Sequence, residues 1–306
     1  DRQDGEPAPS GRILDVVPAS GGGRILDVVP VAGVRTGIGR PLVGCCGRVG
    51  SGCEGHGTVT VRGRRAGPRR DPLSGPTPVA DHRRAEHGEG VPVSGWTVLT
   101  EERFVLGEGL RWTGAGGGDV PAVVMVDIPS GRLLSLDPDR AGRPRTLARL
   151  DVPLGAVAPV AGGSGWVAAA GTGIALLSAD GALTWLDRPE DAAAGPMRMN
   201  DGVCDPAGRF WAGSMAVDAA PGAGSLYRVD PDGVVRRVLD GLGTPNGPAF
   251  NHDGTTMYLA DSGRQIVDVF DVDPSTGDLG RRRRFAELDR GLPDGMIVDD
   301  EGHLWA

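Results

Sequence analysis

The sequence predicts an all-β fold, a β-propeller of four-stranded blades, behind an N-terminal extension of different character. Three observations predict it. Short alternating apolar segments fill the chain from residue 91 onward, Asp/Asn/Gly/Pro turns separate them, and a unit of about 46 residues recurs. No helical stripe interrupts the pattern.

The turns come first. Asp205-Pro-Ala-Gly208, Asp230-Pro-Asp-Gly233, His252-Asp-Gly254, Asp273-Pro-Ser-Thr-Gly277 and Asp300-Glu-Gly302 each separate apolar runs of six to eight residues. Runs such as Gly208 to Gly213 and Met257 to Asp261 recur at 20 to 25 residues, so two hairpins make one blade. About four and a half such units fit before residue 306. Phe210, Trp211, Tyr258 and Trp305 fall on strand positions and are expected to pack between blades. Cys204 reads as a small buried hydrophobe, and Arg281 to Arg284 as a solvated outer edge.

The extension occupies residues 1–92, ahead of a propeller domain at 93–306. All thirteen aromatic residues lie between Trp96 and Trp305. Without aromatics, a Gly/Arg/Pro-rich segment with the direct repeat Gly11–Pro18 and Gly23–Pro30 is expected to stay disordered. Upstream sequence translated ahead of the true start is an alternative source for it. Cys45, Cys46, Cys53 and His56 lack the spacing of a zinc site.

Charge divides at the same boundary, +3 over residues 1–90 and −11 over 91–306, for the overall −8. An acidic body argues against a nucleic-acid partner and suits a site that collects cations. No apolar run reaches the ~18 residues of a membrane span, and neither a signal-peptide layout nor a disulfide framework appears. A soluble, cytoplasmic protein is the simple expectation.

The period also carries the chemistry. Asn200-Asp-Gly202, Asn246-Gly247 and Asp294-Gly295 each stand at the start of an apolar strand, at spacings of 46 and 48. Stepping back from Asn200 by 46 reaches Leu154, and by another 46 reaches Glu108, within Gly107-Glu-Gly109. Taken singly, Asn-Gly and Asp-Gly are hairpin signals, and a Glu among glycines is an ordinary solvated side chain. Their common register changes that, because equivalent positions on the innermost strands of a propeller converge on one end of its channel.

Short motifs follow one another in order along residues 96–306. They are Gly107-Glu-Gly109 with Trp112, Val126-Asp-Ile128, Arg198-Met-Asn-Asp-Gly202 and Gly213-Ser-Met215. Thr244-Pro-Asn-Gly247, Tyr258-Leu-Ala-Asp-Ser262, Leu292-Pro-Asp-Gly-Met296 and Asp300 to Trp305 complete the set. This ordered set resembles the regucalcin/gluconolactonase (senescence marker protein) family of six-bladed β-propellers. The resemblance implies one divalent cation (Ca²⁺, Zn²⁺, Mn²⁺ or Mg²⁺) held by Glu108, Asn246 and Asp294. It implies Arg198 and Asn200 on the substrate, with Asp218 near it. Leu110 in place of a proline and a Gly-rich insert at Gly114–Gly118 depart from the family pattern without touching those ligands. Against six blades, the expectation is that the native chain continues for roughly two more hairpins and a closing segment.

Two carboxylates and an amide make a hard, all-oxygen set. The activity expected is metal-dependent opening of a small-molecule sugar lactone to an aldonic acid, with Asp294 as ligand and general base. A non-catalytic calcium-binding regulatory protein of the regucalcin type shares the same ligands, and a phosphotriesterase-type propeller shares the metal. An interaction propeller of the WD or NHL kind predicts no convergent carboxylates. Nothing in the sequence sets the oligomeric state.

Overall fold

The computed structural model describes residues 60–61, 98–112, 123–137, 141–161 and 165–306. Four four-stranded antiparallel sheets follow one another along the chain. The first holds β2 (Gly107–Trp112), β3 (Val123–Asp127), β4 (Arg132–Leu136) and β5 (Arg145–Arg149), after the two-residue β1 (Thr60–Val61). The second holds β6 (Leu154–Pro159), β7 (Trp166–Ala170), β8 (Gly173–Leu177) and β9 (Leu183–Asp187). The third holds β10 (Met197–Cys204), β11 (Phe210–Ala216), β12 (Gly224–Val229) and β13 (Val235–Leu242). The fourth holds β14 (Pro245–Phe250), β15 (Thr256–Asp261), β16 (Ile266–Val272) and β17 (Leu279–Glu287). A fifth sheet contains β18 (Ile297–Val298) and β19 (Leu304–Trp305), with β1 paired to β19.

Within each of the four complete sheets the strand order follows the sequence, as hairpin connections require. The first strands of successive sheets touch one another, β2 to β6, β6 to β10, β10 to β14 and β14 to β18. They are therefore the innermost strands of stacked blades, and the propeller expected from the period is the fold observed. The extension assigned to residues 1–92 lies outside the described residues except for β1, as do Cys45, Cys46, Cys53, His56 and the Gly114–Gly118 insert.

Blades are held by apolar layers between their faces. Val124, Val126 and Leu133 meet Val157, Ala168 and Leu177 between blades one and two. Met199, Phe210 and Tyr227 meet Val167 and Ile174 between two and three, and Trp211 and Leu226 meet Met257 and Phe270 between three and four. Phe210 and Trp211 are adjacent, so strand alternation sends them to opposite interfaces, and both are fully buried. Trp211 packs on Phe250 at 5.4 Å, and Tyr258 on Phe285 at 4.9 Å in the layer that takes in Leu304. Trp305 is half-buried and donates its indole N–H to Asp299 (2.9 Å). Cys204 is buried in the second layer, and that burial pushes its thiol far up.

The five turns read from sequence are hairpin turns. Gly208, Gly233, Gly254, Gly277 and Gly302 all have positive φ, between 70° and 83°. The arginine run lies on β17, the outermost strand of its blade, where Asp268 accepts from Arg282 and Arg284 and Asp271 from Arg283.

The innermost strand of each of the four complete blades carries a bulge near its start, between Glu108 and Arg111, Leu154 and Ala156, Met199 and Gly202, and Asn246 and Ala249. Asn200-Asp-Gly202 and Asn246-Gly247 are thus bulged strand residues, not hairpin loops. Bulges re-aim side chains and concentrate beside functional sites.

Candidate functional site

The bulges gather polar groups at one end of the channel. Glu108 comes from β2, Arg198, Asn200 and Asp201 from β10, Asn246 from β14, and Asp294 from the segment entering β18. Asn200 and Asn246 are buried at 1% and 0% exposure, and Glu108, Arg198, Asp201 and Asp294 are partly open.

Hydrogen bonds run through the centre in one direction. Arg198 Nη1 donates to Asn200 Oδ1 (2.7 Å) and to Met199 O (3.0 Å). Asn200 Nδ2 donates to Pro245 O (3.0 Å) and Asn246 Oδ1 (2.6 Å), and Asn246 Nδ2 donates to Ser262 Oγ (2.8 Å). Ser262 Oγ donates to Pro293 O, one residue before Asp294. Both amide hydrogens of Asn200 are used, so it orients Arg198 and Asn246.

Electrostatics ties in the carboxylates. Burial raises the pKa of Glu108 well above the usual range, and the charges of Asp294 and Asp201 raise it further, with Arg198 opposing. Burial raises Asp294 as well, followed by the charge of Asp201, while a hydrogen bond from the Gly295 N–H works against both. Asp294 Oδ1 is buried with no hydrogen-bond partner. A buried carboxylate oxygen without a donor is costly unless a proton or a cation answers it.

That orphaned oxygen is the test of fit for a divalent cation. Glu108, Asp294 and Asn246 together offer the hard oxygen donors that Ca²⁺, Mg²⁺ or Mn²⁺ accept. Among the described residues no three His, Cys, Asp or Glu side chains cluster as a metal site, so the set rests on two carboxylates and one amide. The residues present fit the group.

Of the residues expected from sequence, Glu108, Arg198, Asn200, Asn246 and Asp294 share this end of the channel. Asp218 lies in the loop after β11, at the end of its blade that carries Arg198, where Met215 pairs with Arg198. It is exposed, and its carboxylate accepts from Ala220 N (3.1 Å).

Three residues of the site had no role in the sequence reading. Asp201 accepts from Gly202 N and Gly247 N, each at 2.7 Å, joining β10 to β14. Ser262 closes the amide chain. Arg111, three residues past Glu108, donates to Gly202 O and so reaches from β2 to β10. Ser262 was visible in Tyr258-Leu-Ala-Asp-Ser262 and Asp201 in Asn200-Asp-Gly202, both as motif members without a role.

With this geometry in place, comparison with known proteins is decisive. The profile described as the SMP-30/gluconolactonase/LRE-like region matches residues 106–306. The chain belongs to that family. A pentonolactonase of Haloferax volcanii is 36% identical over 216 residues, covering 69% of this chain and 69% of that protein. Rabbit (Oryctolagus cuniculus) regucalcin is 34% identical over 215 residues, covering 67% and 68%. Among solved structures, a regucalcin from Agrobacterium tumefaciens described as calcium-binding superposes with a TM-score of 0.61 at 31% identity, covering 68% and 69%. A gluconolactonase from Xanthomonas campestris gives 0.53 at 28%, covering 65% and 68%. The SMP-30/gluconolactonase match begins at Leu106, immediately before β2, so it takes in every candidate site residue.

Proposed function

We propose that the protein is a divalent-metal-dependent lactonase that opens a sugar lactone to its aldonic acid. One observation carries the reading: the partnerless, buried Asp294 Oδ1 stands among like-charged carboxylates, and the charge of Arg198 bears on one of them, Glu108. The lactonase relatives support the reaction class.

Glu108, Asn246 and Asp294 would hold the cation, which supplies Lewis-acid polarisation of the lactone carbonyl and a lowered pKa for water. Asp294 takes the proton from the attacking water. Water adds to the carbonyl carbon, and the ring C–O bond then breaks as the ring oxygen receives a proton. Arg198 presents a fixed positive charge to the developing oxyanion or the sugar hydroxyls, and Asn200 keeps that guanidinium in place. Asp218, exposed in the loop after β11, would meet the substrate's outer hydroxyls. Among the described residues no helix is long and apolar enough to cross a membrane, and the acidic body favours a small-molecule partner over nucleic acid.

Proton release from glucono-δ-lactone and a panel of pentono- and hexonolactones tests this, with EDTA and with Ca²⁺, Mn²⁺, Mg²⁺ or Zn²⁺ restored. Turnover that returns with the ion and disappears in Asp294→Ala supports the lactonase. Retained turnover in Asp294→Ala overturns it. The regucalcin relatives favour one second reading, a calcium-binding protein without turnover; tight binding with no hydrolysis of any lactone selects it.

A further inference from the structure

The amide chain is polar from end to end, and its polarity is fixed by groups that cannot reverse. Arg198 can only donate. The carbonyls Pro245 O and Pro293 O can only accept. Asn200 must therefore turn its NH₂ toward Pro245 O and its oxygen toward Arg198. At the other end, Ser262 has one hydroxyl proton and gives it to Pro293 O, which leaves its oxygen to accept from Asn246 Nδ2. Asn246 consequently turns its oxygen toward Asn200 and keeps its N–H groups on the Ser262 side. If the Asn246 amide were flipped, its NH₂ would face the NH₂ of Asn200, and Pro293 O would lose its donor.

We propose that Ser262 is a positioning residue: it fixes the Asn246 amide so that the site meets a cation with an oxygen and not an N–H. The inference rests on the metal reading above and adds a residue to it. Ser262 is 2% exposed and is the first residue of the short 3₁₀ turn Ser262–Arg264 that follows β15. Its hydroxyl bridges Asn246 of β14 to the carbonyl of the residue before Asp294, and that carbonyl takes the hydroxyl proton, which leaves the Ser262 oxygen to hold the Asn246 amide. Outer-shell partners of this kind orient metal ligands, and their loss costs roughly ten- to a hundredfold in metal affinity.

The experiment is a titration of the full chain, freed of metal, with Ca²⁺ and Mn²⁺ by calorimetry, after circular dichroism has shown each variant folded. Ser262→Ala is expected to weaken cation binding about ten- to a hundredfold, and Ser262→Thr, which keeps the hydroxyl, to recover most of it. In an Asn246→Asp background both ends of the side chain are oxygens and there is no amide to orient. There Ser262→Ala is expected to change affinity by no more than about twofold, the coupling expected of a residue acting through its neighbour. Unchanged affinity in folded Ser262→Ala overturns the assignment, and so does an equal loss in the Asn246→Asp background. If Ser262→Ala does not fold, Ser262→Cys replaces it, and full affinity with that weak donor overturns the assignment too. A wild-type chain that binds neither ion overturns the metal reading itself, and the role of Ser262 with it.

Discussion

Asn200 donates to Asn246 across 2.6 Å, joining equivalent positions of neighbouring innermost strands exactly one 46-residue period apart. The repeat that builds the blades thereby also builds the site. Asn200→Leu removes the donors to Pro245 O and Asn246 Oδ1 and the acceptor for Arg198, all in a buried position. Each buried polar group left without a partner costs on the order of 1–3 kcal/mol. Urea unfolding is expected to show a loss of at least about 2 kcal/mol, with lactone turnover falling as Arg198 loses its anchor. Unchanged stability and turnover together would show that the amide chain is dispensable.

The positions that repeat were legible in the sequence, and what each one bonds to was not. Glu108, Asn200, Asn246 and Asp294 stand out because a polar residue recurs where a strand begins, and Leu154 shows that blade two contributes none. Asp201 was missed for a physical reason. In a regular strand, adjacent side chains point to opposite faces, so Asp201 should turn away from Asn200. The bulge between Met199 and Gly202 breaks that alternation and lets Asp201 bear on Glu108 and Asp294. Ser262 escaped because its partner, Pro293 O, is a backbone carbonyl and leaves no mark on residue type.

The raised carboxylates set a pH dependence. Glu108 and Asp294 hold protons in the cation-free fold at pH values where the unfolded chain has already lost them. Their stabilising contribution is thus complete below the ordinary carboxylate range and is lost as pH rises through their raised values. In EDTA, the melting temperature of wild type relative to Asp294→Asn is expected to fall as pH climbs from about 4 toward 8. Cation affinity should rise over the same window, because binding displaces those protons. A wild-type-minus-variant difference that is flat with pH would rule out the raised value at Asp294.

Gly247 sits where two blades nearly touch. Its φ is +44°, and a Cβ there would lie 2.5 Å from Met296 N and 3.0 Å from Asp294 O, both backbone atoms. Gly247→Ala therefore combines left-handed strain of about 1–2 kcal/mol with a push on the segment that carries Asp294 into β18. Gly302, at φ +83° with open space around its Cβ position, isolates the strain alone. Denaturant unfolding should show Gly247→Ala clearly the more destabilised, and only Gly247→Ala should weaken cation binding. Equal effects at both glycines would mean the close approach to Asp294 has no consequence.

The third blade is tied to the fourth by a buried ion pair. Asp205 accepts from Arg209 Nη1 (3.1 Å), Trp211 Nε1 (3.1 Å) and the backbone N–H groups of Ala207 and Arg209. Arg209 continues to Pro274 O and Ser275 O in the turn between β16 and β17. Both side chains are nearly sealed from solvent, at 8% and 3% exposure. Asp205→Ala would leave a buried guanidinium without its counter-charge and the Trp211 N–H without an acceptor. Removing one partner of such a pair costs roughly 3–5 kcal/mol. Asp205→Asn keeps one oxygen, which can serve two of the four donors, and should cost less. Calorimetric unfolding that ranks Asp205→Ala well below Asp205→Asn would locate the stability of this blade pair in the charge at Asp205. Equal melting temperatures would locate it in the apolar layer of Trp211, Met257 and Phe270 instead.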